Sequence, residues 1–527
     1  MLRTISLYFH TIRYLKCSQV FFQLWYPIKN LFINSWYPYS KYLNANLLTF
    51  SNISTYSETG SYNSVSRTFT FLNKTHTFSD SIDWQFMGLG KLWNYHLQYL
   101  NSLNDDTTSI TERNKVLIQL SKSVNASALK LEAYPVSLRI INTLLFYKNV
   151  TKDQKSINRA LLRQIHFLEN NLEYHILANH LLENYIALCM ASLYMNDDRL
   201  WNKCYAKLCS ELEEQIMEDG AHYERSPMYH SIILYRLILL YQVLIKSNKG
   251  DYDLIRYYIQ KMATWLFSFC LPNGRYPLFQ DSCISGAPPA SWISETLRQL
   301  NLEVHQGKLS DCAYYKFEHD PIVLYVNAGN VVPTYQPGHA HADILHFDLY
   351  FKGRPIFVDF GISTYESGPQ RHYERSTQAH NTVVINGQNQ SEIWSQFRMA
   401  QRAHIKVSRV DQHHLEGEIT HYAGQPWSHK RIFDVHPNQL IIEDFVVAEE
   451  VVSSLMYLHC HQDVGPINID YEKNKMNIAG MQLLILGANK VVIEDHQQAL
   501  DFNLYVKSKR ISISFEKQIK TIITWHE

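Results

Sequence analysis

Near residue 315 the spacing of apolar residues changes from a period of three to four to a period of two, and no single-layer fold accommodates both patterns. Upstream the pattern is helical. Ile157, Leu161, Leu162, Ile165 and Leu168 fall on one face, and Leu177, Leu181, Leu182, Tyr185, Cys189 and Leu193 continue it over 176–194. The run at 231–246, S-I-I-L-Y-R-L-I-L-L-Y-Q-V-L-I-K, is apolar nearly all round, which predicts an inner helix capped at Asn248-Lys249-Gly250. A further helix over 254–270 stops at the turn Pro272-Asn273-Gly274. Helices of this length with short loops imply stacked helical hairpins. The absence of a fixed-period repeat argues against a true solenoid.

Downstream, residues 346–351 alternate, Lys352-Gly353-Arg354 reads as a turn, and Ile356–Asp359 returns as the second strand of a hairpin. Thr382–Ile385 ends at Asn386-Gly387, while Arg431–Val435 and Leu440–Val447 flank His436-Pro437-Asn438-Gln439. Strands at this density predict an antiparallel sandwich beginning at 310–325. The expected organisation is a helical N-terminal extension over 1–75 that packs on the body, a helical domain over 76–315 and an antiparallel β domain over 316–527. A length of 527 residues suits two or three domains.

The 49 basic and 49 acidic residues cancel, so no global field marks a nucleic-acid binder, and an anionic partner must be recognised locally. With 35 Tyr, 24 Phe and 10 Trp, the chain has either a tyrosine-rich core or a cleft where rings stack on sugar faces. Eight cysteines without a C-x-x-C pair read as buried free thiols in a reducing compartment. No uncharged apolar run reaches the ~18 residues of a membrane-spanning helix. The apolar N-terminus is interrupted by His10 and Arg13, so no clear signal peptide is expected. The aromatic stretch at 19–45 is expected to pack on the body.

The densest chemistry lies in G-H-A-H-A-D at 338–343. In an extended segment His339 and His341 point to the same side. His341, Asp359 and His380, separated by 18 and 21 residues, form a plausible zinc set only if the fold gathers them. Taken alone, such a triple is also consistent with satisfied polar residues at a domain interface.

The block from G-H-A-H-A-D through H-F-D-L-Y-F-K-G-R-P-I-F-V-D-F-G to R-H-Y-E-R-S-T-Q-A-H-N-T-V-V-I-N-G-Q-N-Q resembles the heparinase II/III-like superfamily of polysaccharide lyases, which includes oligo-alginate lyases. N-H-L-L-E-N at 179–184 and D-G-A-H-Y-E-R-S-P-M-Y-H at 219–230 extend the similarity over about residues 80–420. The resemblance implies an incomplete α/α toroid joined to an antiparallel β-sandwich, with the cleft between them. It implies a structural Zn2+ on His341, Asp359 and His380.

It also implies β-elimination on a uronic-acid polysaccharide. Asn179 and His180 would neutralise the uronate carboxylate so that the C5 proton can leave. Tyr229 and His339 would share the acid and base roles, the order depending on whether the carboxylate is syn or anti to the proton. In the competing structural account Asn179 and His180 are merely polar positions satisfied by Glu183 and Asn184. Tyr95 and His96, in W-N-Y-H-L-Q-Y at 93–99, together with Glu183, Arg371, Tyr373 and Arg375, are candidate substrate contacts. Glu224 is expected only to cap or orient its neighbours. The family implies an envelope or periplasmic setting, whereas the N-terminus leaves a cytoplasmic one open. Two alternatives remain: a hydrolytic zinc enzyme, and a non-catalytic glycan-binding protein of an exopolysaccharide locus. The sequence leaves the oligomeric state, the polymer and the cleavage mode open.

Overall fold

The computed structural model describes residues 2–33, 47–57, 60–249, 252–470, 473 and 475–526. Gly250 of the expected helix cap and residues 34–45 of the aromatic stretch lie outside these residues.

Two helices, α1 (Leu2–Ile12) and α2 (Cys17–Ile33), begin the chain. The extension is not wholly helical, because a three-stranded antiparallel sheet over Tyr62–Thr77 follows. Its Phe69 and Phe71 pack with Trp84 and Trp93. Among the described residues nine α-helices come next: α3 (Lys91–Tyr99), α4 (Ile110–Asn125), α5 (Ala133–Phe146), α6 (Gln154–Asn170), α7 (Ala178–Met195), α8 (Asp198–Gln215), α9 (Pro227–Ser247), α10 (Asp253–Phe269) and α11 (Ala290–Gln299).

Two layers emerge from their contacts. Helices α3, α5, α7 and α9 neighbour one another inside, while α4, α6, α8 and α10 pack outside them. Composition explains the division. The outer helices keep a polar face, whereas every residue of α7 except His180 is buried. Full burial of a Leu contributes roughly 1.5–3 kcal/mol, so α7, with four buried leucines, anchors the helical layer. Helix α9 is the expected inner helix and ends with Asn248 in the left-handed conformation (φ 51°).

The last long helix ends at Gln299 and the first long strand begins at Tyr314, so the period change coincides with the change of layer. From there one 14-stranded antiparallel sheet folds over on itself. Its two layers close on a core that includes Phe347, Phe357, Leu415 and Phe433. Gly417 lies where they meet, and a Cβ there would come within 3.0 Å of Leu345. Strands 428–436 and 439–447 alternate buried and partly exposed residues and join through a two-residue turn at Pro437-Asn438.

Strand 347–351 departs from the expected alternation, since all five of its residues are buried. One face enters the sandwich. On the other face, Tyr350 joins Tyr314 and Tyr325 in the helical core, against which Phe269 of α10 packs. The two domains therefore share a continuous apolar seam. Of the eight free cysteines six are buried, while Cys17 is exposed and Cys209 half-buried.

Candidate active site

The first turns of the inner helices converge beside the seam. Tyr134 of α5 lies 4.4 Å, ring to ring, from His180 of α7, and Asn179 reaches toward His339 from the β domain. Tyr229 opens α9, where Ser226 caps the helix by accepting its backbone N–H. Helix N-termini carry partial positive charge, which suits an anionic ligand.

His339 is stacked on Tyr229 with ring centroids 3.9 Å apart. Its Nδ1 lies 2.8 Å from Asp281 Oδ2, and its Nε2 is 3.4 Å from Glu224 Oε2 and 3.5 Å from Asn179 Nδ2. Asp281 is the hub. It accepts two hydrogen bonds from the Arg371 guanidinium, at 2.5 and 2.7 Å, and one from His341 Nε2 at 2.9 Å. Burial opposes charge on Asp281, yet Arg371 and the hydrogen bonds of His339 and His341 hold its carboxyl well below the usual range. A carboxylate on Nδ1 fixes the proton there and turns Nε2 toward the cleft. The Tyr229 hydroxyl is 3.3 Å from that of Tyr365, and burial drives the Tyr229 pKa up despite that hydrogen bond.

Asn179 and His180 are not satisfied by Glu183 and Asn184 as the structural account supposed. Glu224 accepts both the backbone N–H (2.9 Å) and the side-chain amide (2.9 and 3.0 Å) of Asn179, capping α7 as it orients the amide. His180 Nδ1 lies 3.0 Å from Glu173. Burial is the largest single influence on His180 and opposes its charge, but the hydrogen bond and charge of Glu173, with the charges of Glu224 and Glu183, together outweigh it and raise its pKa above the ordinary value. Glu183 instead pairs with Arg236 at 3.1 Å in the helical interior, so it does not face the cleft.

Other candidate contacts are spent elsewhere. Arg371 is committed to Asp281, between the rings of Tyr365 and Phe397. Arg375 is fully buried and donates to the backbone carbonyls of Pro337, Ala340 and Gln396, bracing the loop that carries His339. Tyr373 points to His496 (3.2 Å) and Arg510 (3.3 Å) on the sheet. None of the three presents a free group to a substrate. Tyr95 donates to Glu132 at 2.7 Å, and His96 packs between Phe71 and Tyr99, where burial lowers its pKa to about 4. Asp281, Tyr365 and Phe397 belong to the site and were missed. They lie 58, 26 and 58 residues from His339 in the chain, with no periodic or motif signal to flag them.

The expected zinc set is partly regrouped. Among the described residues the ligand-type side chains gathered within 4.8 Å are His346, Asp359 and His380, with His341 just outside and its ring 5.3 Å from that of His380. His346 Nδ1 accepts the backbone N–H of Asn381 at 2.8 Å, so its Nε2 bears the proton; that Nε2 lies 3.1 Å from Asp348 Oδ1 and 3.2 Å from Asp359 Oδ2 but hydrogen-bonds to neither. That ring has no lone pair to offer a metal. His341 Nδ1, His346 Nε2 and His380 Nε2 are all buried without a hydrogen-bond partner, and the first and last of these are ring nitrogens whose other nitrogen is turned to a carboxylate. The orphaned nitrogens of His341 and His380 beside the Asp359 carboxylate fit a zinc donor set.

Residues 143–316 match the heparinase II/III N-terminus model and residues 304–526 the heparinase II/III-like C-terminal model. A heparin-sulfate lyase of Pedobacter heparinus is 23% identical over 358 residues, covering 59% of this chain and 51% of that protein. One from Bacteroides thetaiotaomicron is 23% identical over 333 residues, covering 54% and 46%. The chain thus spans about half the length of the curated relatives it matches. Among solved structures, heparinase III superposes with a TM-score of 0.66 at 18% identity, over 85% of this chain and 80% of that one. A chondroitin AC lyase of Streptomyces coelicolor superposes at 0.50 and 8% identity, over 82% and 74%. These structures share the toroid-plus-sandwich fold. The chain belongs to the heparinase II/III-like family.

Proposed function

We propose that this protein is a polysaccharide lyase that cleaves a uronic-acid-containing anionic polysaccharide by β-elimination. The observation that carries the reading is the stack of His339 on Tyr229 beside the Asn179 amide, with His339 Nδ1 anchored on Asp281. It sets two proton-transfer groups and a carboxylate-binding donor around one point.

A C5 proton leaves only if the adjacent carboxylate is neutralised, because its removal otherwise builds a second negative charge on the same sugar. Asn179 and His180, whose cationic form Glu173 favours, supply that neutralisation at the positive end of α7. His339 Nε2 and the Tyr229 hydroxyl then divide the two proton transfers, from C5 and to the glycosidic oxygen at C4. Tyr134, Tyr365 and Phe397 offer ring faces for the sugars. Support for an anionic glycan also comes from the relatives named as heparin-sulfate lyases.

His341, Asp359 and His380 would hold a Zn2+ that braces the strand ends carrying them. Because all three side chains are buried, a zinc held there would contribute folding energy rather than a reactive centre. Metal analysis after dialysis against a chelator, read with the melting temperature, tests this: loss of zinc should lower the melting temperature.

The activity is tested by incubating the protein with heparan, alginate, glucuronan and bacterial exopolysaccharides while following the ultraviolet absorbance of unsaturated uronates. Appearance of that chromophore in products that have gained no water is expected. Products that have gained water would point to the hydrolytic alternative. A folded protein inert on the whole panel would favour a glycan-binding role.

A further inference from the structure

The N-terminal helix pair is amphipathic the wrong way round for a segment whose task is to pack. Helix α2 meets the body through polar or polar-tipped side chains. Gln19 donates to the carbonyls of Ile176 (3.2 Å) and Tyr335 (3.3 Å), Tyr26 donates to the Leu172 carbonyl, and Lys29 reaches Asn171 at 3.1 Å. Phe22 alone stacks inward, on Tyr174 at 4.7 Å. The apolar stripe Phe21, Leu24, Trp25 and Ile28, at positions i, i+3, i+4 and i+7, faces out, with Leu24 66% and Phe21 58% exposed. Helix α1 repeats the arrangement. Thr11 accepts a hydrogen bond from the Trp394 indole N–H (3.0 Å) and Tyr8 packs on the same ring, while Ile5, Phe9 and Ile12 are exposed, Phe9 by 64%.

Charge selects the occupant. Residues 1–57 contain Arg3, Arg13, Lys16, Lys29 and Lys41 and no Asp or Glu, although the whole chain carries 49 residues of each sign. Lys16 and Lys29 are tied to the body, but Arg3 and Arg13 are exposed. A second copy of this chain would set like charges against one another across a self-complementary interface. A protein partner is ordinarily matched by a rim of both signs. At 11 and 17 residues the helices are shorter than the ~20 needed to span a bilayer. Exposed Trp and Phe over an apolar stripe flanked by cations alone is the composition of helices that lie in a membrane interface.

We infer that α1 and α2 dock this protein peripherally on an anionic lipid bilayer, with Phe9, Phe21, Leu24, Trp25 and Ile28 entering the headgroup boundary. The inference is independent of the lyase reading. Docking would hold the active site close to the bilayer surface, because its Phe397 hairpin carries the Trp394 that supports α1.

The test is co-sedimentation of the full chain with vesicles of phosphatidylglycerol in phosphatidylethanolamine, against vesicles of phosphatidylcholine alone. Binding to the first and not the second is expected. The F21S/L24S/W25S/I28S variant, which leaves Gln19, Phe22, Tyr26 and Lys29 in place, should bind at least about tenfold more weakly, given the apolar area withdrawn from the membrane. Its helix content and activity should be unchanged. R3E/R13E should weaken binding and flatten its salt dependence. Absence of vesicle binding by the wild type, or equal binding by the serine variant, would overturn the inference. So would a wild-type dimer that the serine variant converts to monomer without any lipid binding.

Discussion

Asp281 shows how one carboxylate can set the roles of several neighbours. Arg371, His339 and His341 all converge on it and balance its charge although the carboxylate is fully buried. Asp281→Asn keeps the shape and removes the charge. It leaves Arg371 buried without its counter-ion, which costs about 3–5 kcal/mol. It also allows the His339 proton to move to Nε2. Urea denaturation should register the first effect and kcat/KM the second; a variant within about 1 kcal/mol of wild type would remove Asp281 from its central place. Tyr229→Phe tests the other partner. It removes one oxygen, so stability should hold while kcat falls by roughly 10²–10⁴ with KM little changed. The histidines of G-H-A-H-A-D were legible in the sequence because a motif carries them. Asp281 was not, because its meaning lies entirely in contacts made 58, 60 and 90 residues away. Arg371 and Arg375 were legible as functional and misread in role: sequence shows a guanidinium's availability but not what already occupies it.

Among the elements, α7 joins stability to chemistry. Its length and burial were readable from its continuous apolar pattern, and its one residue left partly exposed, His180, is one of the two expected to meet substrate, the other being the buried Asn179. What sequence could not supply is the partner, since Glu173 lies before the helix and reaches back to His180 across its first turn. The His180 pKa is raised in the folded protein. The ion pair therefore contributes its stability in full below the unfolded imidazole pKa of ~6.5 and loses it as pH rises through the raised value. If the cation neutralises the uronate, activity falls along the same limb. Glu173→Gln leaves burial as the dominant influence on His180, so the alkaline limb of kcat/KM should move to lower pH. A limb that stays in place would assign the titration to another group. Strand 347–351 makes the complementary point. Its burial on both faces reflects the toroid packing on it, and a period-two reading sees only one face at a time.

For the whole molecule, the cleft exists only if toroid and sandwich keep their relative position, and Arg225 is placed to fix it. It follows Glu224 directly, donates to Asn327 and to the Asn330 carbonyl (3.0 Å), and lies 4.4 Å from the centre of the Tyr314 ring. The Tyr314 hydroxyl in turn donates to the Arg225 carbonyl at 2.6 Å. Gly329 makes room for this bridge, since a Cβ there would stand 2.4 Å from the guanidinium. Gly329→Ala must therefore push Arg225 aside without touching any group proposed to meet substrate. Each domain keeps its own core, so the far-ultraviolet signal and the cooperative unfolding of the chain should persist. The Glu224–Asn179–His339 alignment should not, because the displaced arginine adjoins Glu224 in the chain. Misplacement by about 1 Å costs on the order of 10²-fold in rate, and a loss of at least about tenfold in kcat/KM with an intact fold is the expected result. Full activity in this variant would show that the shared tyrosine seam alone holds the domains in register, and that the Arg225 bridge is dispensable.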